Sequence, residues 1–263
     1  MGEEERRTMK QWPQAFEEIE NRIHHLFAQY QSRERAMQYI KGLLSPVERK
    51  NSWQLAEAAG EKDPYKIQYL LGRADWDPDA MRDDLIKYAH DHVQDSEAVI
   101  VVDETGFLKK GTHSAGVARQ YSGTAGRIEN SQIGVFAAYV TDGDHILIDR
   151  ELYLPKEWVE DAHRRSSAGI PPERKFFSKP KLAKVMMERI LSSGLAFKWA
   201  TGDSVYGDDR GLRIWLEEKG KAYVFAVSGK EYVDVGFHQY RVSDILASVP
   251  SKGWVRMSAG DGS

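Results

Sequence analysis

The chain has 263 residues, 41% of them hydrophobic and 29% charged, with a formal net charge of -3 and no cysteine. This is enough apolar material for one large core or two unequal ones, and the lack of cysteine excludes disulfides and thiolate zinc sites, so a metal would sit on carboxylates or histidines. The charge argues against a uniformly basic nucleic-acid binder. No run reaches the roughly eighteen apolar residues of a membrane helix, and the acidic start "MGEEERR" lacks the layout of a signal peptide, so the expected setting is the cytoplasm.

The first third reads as helical. Apolar residues recur at helical spacing in Trp12, Phe16, Ile19, Ile23 and Leu26, and again in Met37, Ile40, Leu43 and Leu44. Asp63-Pro64 and Asp77-Pro78 each set a capping residue before a proline, which marks two further helix starts. A helix from Trp53 to Ala59, a turn at Gly60 and a helix from Pro64 follow one another as in a helix-turn-helix, with Tyr65, Lys66 and Gln68 facing a groove and Arg49 and Lys50 near phosphate; plain helical packing gives the same spacing.

The texture changes near residue 96, which predicts two regions, 1–96 all-helical and 97–263 mixed. In the second, residues 98–103 ("AVIVVD"), 132–140 and 145–152 read as strands, the last two joined by the hairpin turn "TDGD". A helix ending at Gly194, a strand "LAFKWATGD", a helix ending at Gly220 and a strand "KAYVFAV" complete a β-β-β-α-β-α-β order. The tail Ser258 to Ser263 reads as loop.

In this order Asp103 ends the first strand and Asp203 the fourth, and in α/β sheets ligands gather at the carboxyl ends of strands. Side-chain alternation sends Asp103 and Glu104 to opposite faces, so Asp103 is the one of the two that can join Asp203. Two carboxylates without thiolates or clustered histidines suit magnesium, with manganese as its usual substitute, and hence chemistry on phosphates. The same spacing also allows a turn cap at Asp103 and an Asx-turn at Asp203. Asp208 and Asp209 read as helix caps, His113 and His145 as isolated, Trp199 and Trp215 as core, and Tyr206 as a packing residue close to Asp203.

Charge is distributed unevenly. Lys109, Lys110, Arg119 and Arg127 lie in a glycine-rich stretch without an acid, and Arg164, Arg165, Arg174, Lys175, Lys179, Lys181 and Lys184 face the single acid Glu173 between residues 163 and 184. Each stretch is either an ordinary solvated face or a seat for a polyanion. A carboxylate hydrolase acting on sugars would have no use for them.

The segments "GLLSPVERKNSWQLAEAAG", "VVDETGFLKKGTHSAGVARQYSGTAGRIENSQIGVF", "DRELYLPKEW" and "TGDSVYGDD" resemble bacterial insertion-sequence transposases of the DDE superfamily, specifically the seven-oh-one group, over nearly the whole chain. The resemblance implies an α/β, ribonuclease H-like catalytic core over 97–263, preceded by the all-α region 1–96. It implies Asp103 and Asp203 as catalytic, metal-holding acids; the DNA contacts expected beside them are Lys66 and Gln68 from the helix-turn-helix spacing and Lys109, Lys110, Arg119, Arg127, Arg164 and Arg165 from the basic stretches. The partners would be double-stranded DNA, both element ends and target, and a second copy of the chain on that DNA. The family's third acid, a glutamate on a later helix beyond a mostly β insertion, has no counterpart in this sequence, and Glu217 and Glu218 stand too early to replace it. The expected activity is therefore metal-dependent DNA cleavage and strand transfer, and the alternative is an incomplete, inactive DNA-binding remnant that inhibits transposition.

Overall fold

A computed structural model describes the backbone of residues 3–255 and the side chains of residues 12–255; the tail from Ser258 lies outside them. The chain divides into two compact units, Met1–Tyr88 and Ala89–Ser263.

The first unit is built on α1 (Glu3–Ile23), α2 (Tyr30–Leu44), α3 (Ser52–Ala58) and α4 (Tyr65–Gly72), and α5 (Pro78–His92) begins within it. A short β-bridge joins Phe27 and Trp76. Ile23, Phe27, Ala36, Met37 and Leu70 form one buried cluster and Leu55, Ala56 and Ile67 another, so the helical periodicity of the sequence marks the inward faces, while Leu43 and Leu44 stay exposed. The Asn51 side chain accepts from the N–H groups of Trp53 and Gln54 at the start of α3. Gly60 takes φ +76, which turns the chain toward α4. Asp77 caps α5 by accepting from Asp79 and Ala80.

In the second unit the strands are β1 (Val99–Leu108), β2 (Ala118–Ser122), β3 (Arg127–Val140), β4 (His145–Tyr153), β5 (Trp199–Gly202) and β6 (Ala222–Phe225). They form one mixed sheet in the order β2-β3-β1-β5-β6, with β4 also paired to β3. The pairs β1–β3, β2–β3 and β3–β4 are antiparallel, and β1–β5 and β5–β6 are parallel. Between β4 and β5 lie α6 (Lys156–Glu160), α7 (Ala162–Ser167) and α8 (Lys179–Ser192); α9 (Ser204–Gly207) and α10 (Arg210–Glu218) connect β5 to β6. A two-stranded hairpin of β7 (Tyr232–Val235) and β8 (His238–Arg241) and the short α11 (Val242–Ser248) follow.

The core lies where α8 brings Leu182, Ala183, Met186, Met187 and Ile190 against a sheet face carrying Ile100, Val102, Val135, Ala137 and Ile148. Each of the larger side chains among them contributes about 1.5–3 kcal/mol on full burial. The mixed sheet is compatible with a ribonuclease H-like core.

The fold departs from the sequence expectations in four places. β1 does not stop at Asp103 but pairs with β3 as far as Leu108 opposite Ser131, because β3 itself starts at Arg127 rather than Gln132. Part of the glycine-rich basic stretch, which the sequence assigns to no element, is the strand β2. Asp208 does not cap α10; Asp209 does, while Asp208 accepts from the Ser228 N–H. Trp215 is core, but Trp199 is 37% exposed on its short strand.

Candidate active site

The parallel ladder between β1 and β5 runs Val99 to Trp199, Ile100 to Ala200, Val101 to Thr201 and Val102 to Gly202. Asp103 and Asp203 are the next residues on each chain. Parallel strands are about 4.8 Å apart, and equal register gives the two positions the same parity, so both acids follow directly on the last pair of the β1–β5 ladder and point to the same side of the sheet. Both side chains are open to solvent.

Each acid is held by its own backbone. Asp103 accepts the Glu104 N–H at 2.8 Å. Asp203 caps α9, accepting the Val205 N–H at 2.9 Å, while its carbonyl accepts from Tyr206 and Gly207. The Asx-turn allowed by the sequence is therefore present, and it is also what fixes the direction of the Asp203 carboxylate. Partial desolvation raises the Asp103 carboxyl above the usual aspartate range, and the charges of Glu104 and Asp203 add to the rise. The Asp203 carboxylate is therefore close enough to Asp103 to act on it electrostatically.

Close packing holds the loop after β5. A side chain at Gly207 would overlap the Ala226 carbonyl, so glycine lets α9 lie against the end of β6. Tyr206, on the same short helix, has no solvent exposure, and its hydroxyl donates to Glu104 at 2.8 Å. The other Glu104 oxygen accepts from Lys179, at the start of α8, at 2.5 Å. Burial, and then the charges of Glu104, Asp103 and Asp203, push the Tyr206 pKa far above the ordinary tyrosine value, so the phenol remains a donor. Alternation along β1 places Glu104 with Ile100 and Val102 and away from Asp103. Glu104 and Lys179 are the site residues that sequence reasoning missed. Strand parity already set Glu104 on the face opposite Asp103, but nothing local announces a partner 75 residues away.

A divalent cation fits the donor set of Asp103 and Asp203, since both offer hard, anionic oxygens. Among the described residues, no group of three or more histidines, aspartates and glutamates is arranged to hold a metal.

The basic residues have different fates. Lys110 and Arg119 are exposed, and Lys109 is half-buried. Arg127 is exposed at the start of β3 and pairs with Glu129 at 2.8 Å. Arg164 stacks 3.7 Å over the Trp158 ring and donates to the carbonyls of Thr112 and Val117. Arg165 donates to the carbonyls of Val159 and Pro172. Both thus direct part of their guanidinium groups to chain carbonyls, while the Arg165 Nε is buried without a partner. In the first unit Lys66 pairs with Glu61, and Lys66 and Gln68 line an open cleft of about 980 Å³ together with Arg35, Tyr65 and Arg73. No helix among the described residues is long and apolar enough to cross a membrane.

A family model described as DDE superfamily endonuclease matches residues 23–241. The chain is also 27% identical over 202 residues to a protein of Microchaete diplosiphon named "Probable transposase for insertion sequence element IS701", an alignment covering 76% of this chain and 50% of that protein. It thus spans about half the length of the curated relative it matches. With the family model extending over most of the sequence, through both strands that carry the acid pair, the chain belongs to the DDE superfamily endonucleases.

Proposed function

We propose that this chain is an insertion-sequence transposase that cleaves and transfers DNA strands, with Asp103 and Asp203 as its metal-holding acids. The observation that carries this reading is the equal register of β1 and β5, from which two acids distant in sequence follow at neighbouring positions just beyond the shared ladder. The relative named as a probable transposase and the endonuclease family point the same way. The strand order β4-β3-β1-β5-β6 supports a ribonuclease H-like core, with β2 as an added strand.

Magnesium, or manganese in its place, would be held by the two aspartates and would supply charge neutralisation at the phosphate and activation of the attacking hydroxyl. The protein's own part is to present two carboxylates of fixed orientation and to seat the DNA strand. Lys109, Lys110, Arg119 and Arg127 are the proposed phosphate contacts of the second unit, and Lys66 and Gln68 those of the first. Arg164 and Arg165 serve instead as braces for the segments they bond. The DNA is double-stranded, at element ends and target, and the setting is cytoplasmic.

The test is strand cleavage and joining on labelled duplex with magnesium or manganese, comparing the chain with Asp103→Asn and Asp203→Asn. Metal-dependent cleavage lost in both variants supports the reading; cleavage that survives both overturns it. A second reading, DNA binding without cleavage, is favoured by the engagement of the neighbouring acids: Glu104 is taken by Tyr206 and Lys179, and Asp208 by Ser228. Duplex binding with no nicking under the same conditions would select it.

A further inference from the structure

We infer that Tyr206, acting through Glu104, is a positioning residue that sets how the Asp103 and Asp203 carboxylates stand relative to each other. This rests on the assignment of those aspartates as the cation site. The β1–β5 ladder ends at Val102 and Gly202, one residue short of the acids. Beyond it, the hydrogen bond from the Tyr206 hydroxyl to Glu104, 2.8 Å long, ties the two chain segments together again.

Each end of that bond is coupled to one acid through the backbone. Glu104 follows Asp103 and gives it a backbone N–H; Tyr206 belongs to the turn that Asp203 caps and donates its own N–H to the Asp203 carbonyl. A shift of Tyr206 relative to Glu104 therefore shifts one carboxylate relative to the other. Lys179 completes the arrangement by pairing with the second Glu104 oxygen, which neutralises a charge that would otherwise add to the repulsion between the aspartates.

The competing interpretations are that Tyr206 only fills space, or that Glu104 is itself a ligand. Tyr206→Phe keeps the buried ring and removes the hydroxyl alone. Manganese affinity of the whole chain, read from the electron paramagnetic resonance of free manganese, is expected to weaken about 10-fold or more, as is usual when a group that orients a metal ligand is lost. Glu104→Ala should weaken binding to a similar degree, and Glu104→Gln, which keeps an oxygen for the tyrosine, should recover most of that loss. The double variant Tyr206→Phe/Glu104→Ala should bind no more weakly than Glu104→Ala alone, because the tyrosine bond is already absent there.

Wild-type affinity in Tyr206→Phe would overturn the inference. So would a Glu104→Gln that loses manganese as completely as Asp103→Asn, since Glu104 would then be a ligand; the two Glu104 variants decide this even if Tyr206→Phe fails to fold. Asp103→Asn is the control on the underlying assignment. If it binds manganese like wild type, or if the wild-type chain binds none, the cation site itself is wrong and the inference falls with it. If Asp103→Asn loses binding while Tyr206→Phe does not, only the inference falls.

Discussion

Arg189 reaches from α8 to β4 and grips Asp149 with two hydrogen bonds, of 3.0 and 2.9 Å, and the side chain of that aspartate has no solvent exposure. The same guanidinium donates to Glu151 at 2.7 Å, and Arg174 takes the other Glu151 oxygen at 2.7 Å. Removing the partner of a buried charge leaves that charge uncompensated, at a cost of about 3–5 kcal/mol. Arg189→Ala should therefore destabilise the second unit by about 3 kcal/mol, the lower end because Arg189 is itself partly exposed. Amide exchange followed by mass spectrometry should show faster exchange in α8 and β4. Unchanged protection there would mean that apolar packing alone seats the helix.

Acid should act on the same cluster. Burial alone would raise the Glu151 carboxyl, but the hydrogen bonds from Arg174 and Arg189 outweigh it and hold the group below the usual glutamate range. A carboxyl depressed in the folded state stabilises fully above its unfolded pKa, about 4.3, and that stability is lost as the pH falls from there through the lower native value. Urea midpoints measured from pH 7 down to pH 3 should fall in the acid limb, and Glu151→Gln should be less stable at pH 7 yet flatter in acid. Parallel curves would sink the assignment.

Asp203 has two jobs that substitution can separate. Asn is as good an N-cap as Asp, whereas Ala removes the cap at about 0.5–2 kcal/mol. Asp203→Asn should keep the melting temperature of the wild type while Asp203→Ala lowers it, and both should lose manganese binding. A stable Asp203→Asn that still binds manganese would leave Asp203 with the capping role alone.

DNA affinity should fall with salt, and the slope of log affinity against log salt counts the phosphates that the protein neutralises. Lys110→Glu and Arg119→Glu should each flatten it by about one unit for every phosphate no longer held. Arg164→Ala should leave the slope alone and lower thermal stability instead, because its donors hold the Thr112 and Val117 carbonyls. A slope that changes with Arg164 and not with Lys110 or Arg119 would reverse these roles.

Local signals in the sequence were reliable where the chemistry is local. Asp77 before Pro78 marks the start of α5, "TDGD" makes the turn between β3 and β4, and Gly194 and Gly220 take positive φ just beyond α8 and α10. The candidate acids were visible because a carboxylate closing an apolar strand run is unusual in itself. What could not be read locally was pairing. Residues 104–108 look irregular, yet they continue β1 because β3 offers them partners, and Gly106 lies so close to Ser122 that a side chain there would clash. Asp149 and Glu151 are buried, and the arginines that pair with them come from later in the chain, Arg174 before α8 and Arg189 on it. The links from Glu104 to Lys179 and Tyr206 span 75 and 102 residues, beyond the reach of any periodicity.

The register of β1 with β5 also sets a timetable for biosynthesis. Asp103 leaves the ribosome a hundred residues ahead of Asp203, and at about 5–20 residues per second the interval is roughly 5–20 seconds. β3 is made early enough to cover one edge of β1 during that wait, but the edge that β5 will occupy stays open. An uncovered strand edge invites pairing with other chains. The nascent polypeptide thus carries an open β1 edge for as long as its two acids are apart, and the pairing that closes that edge is the one that brings them together.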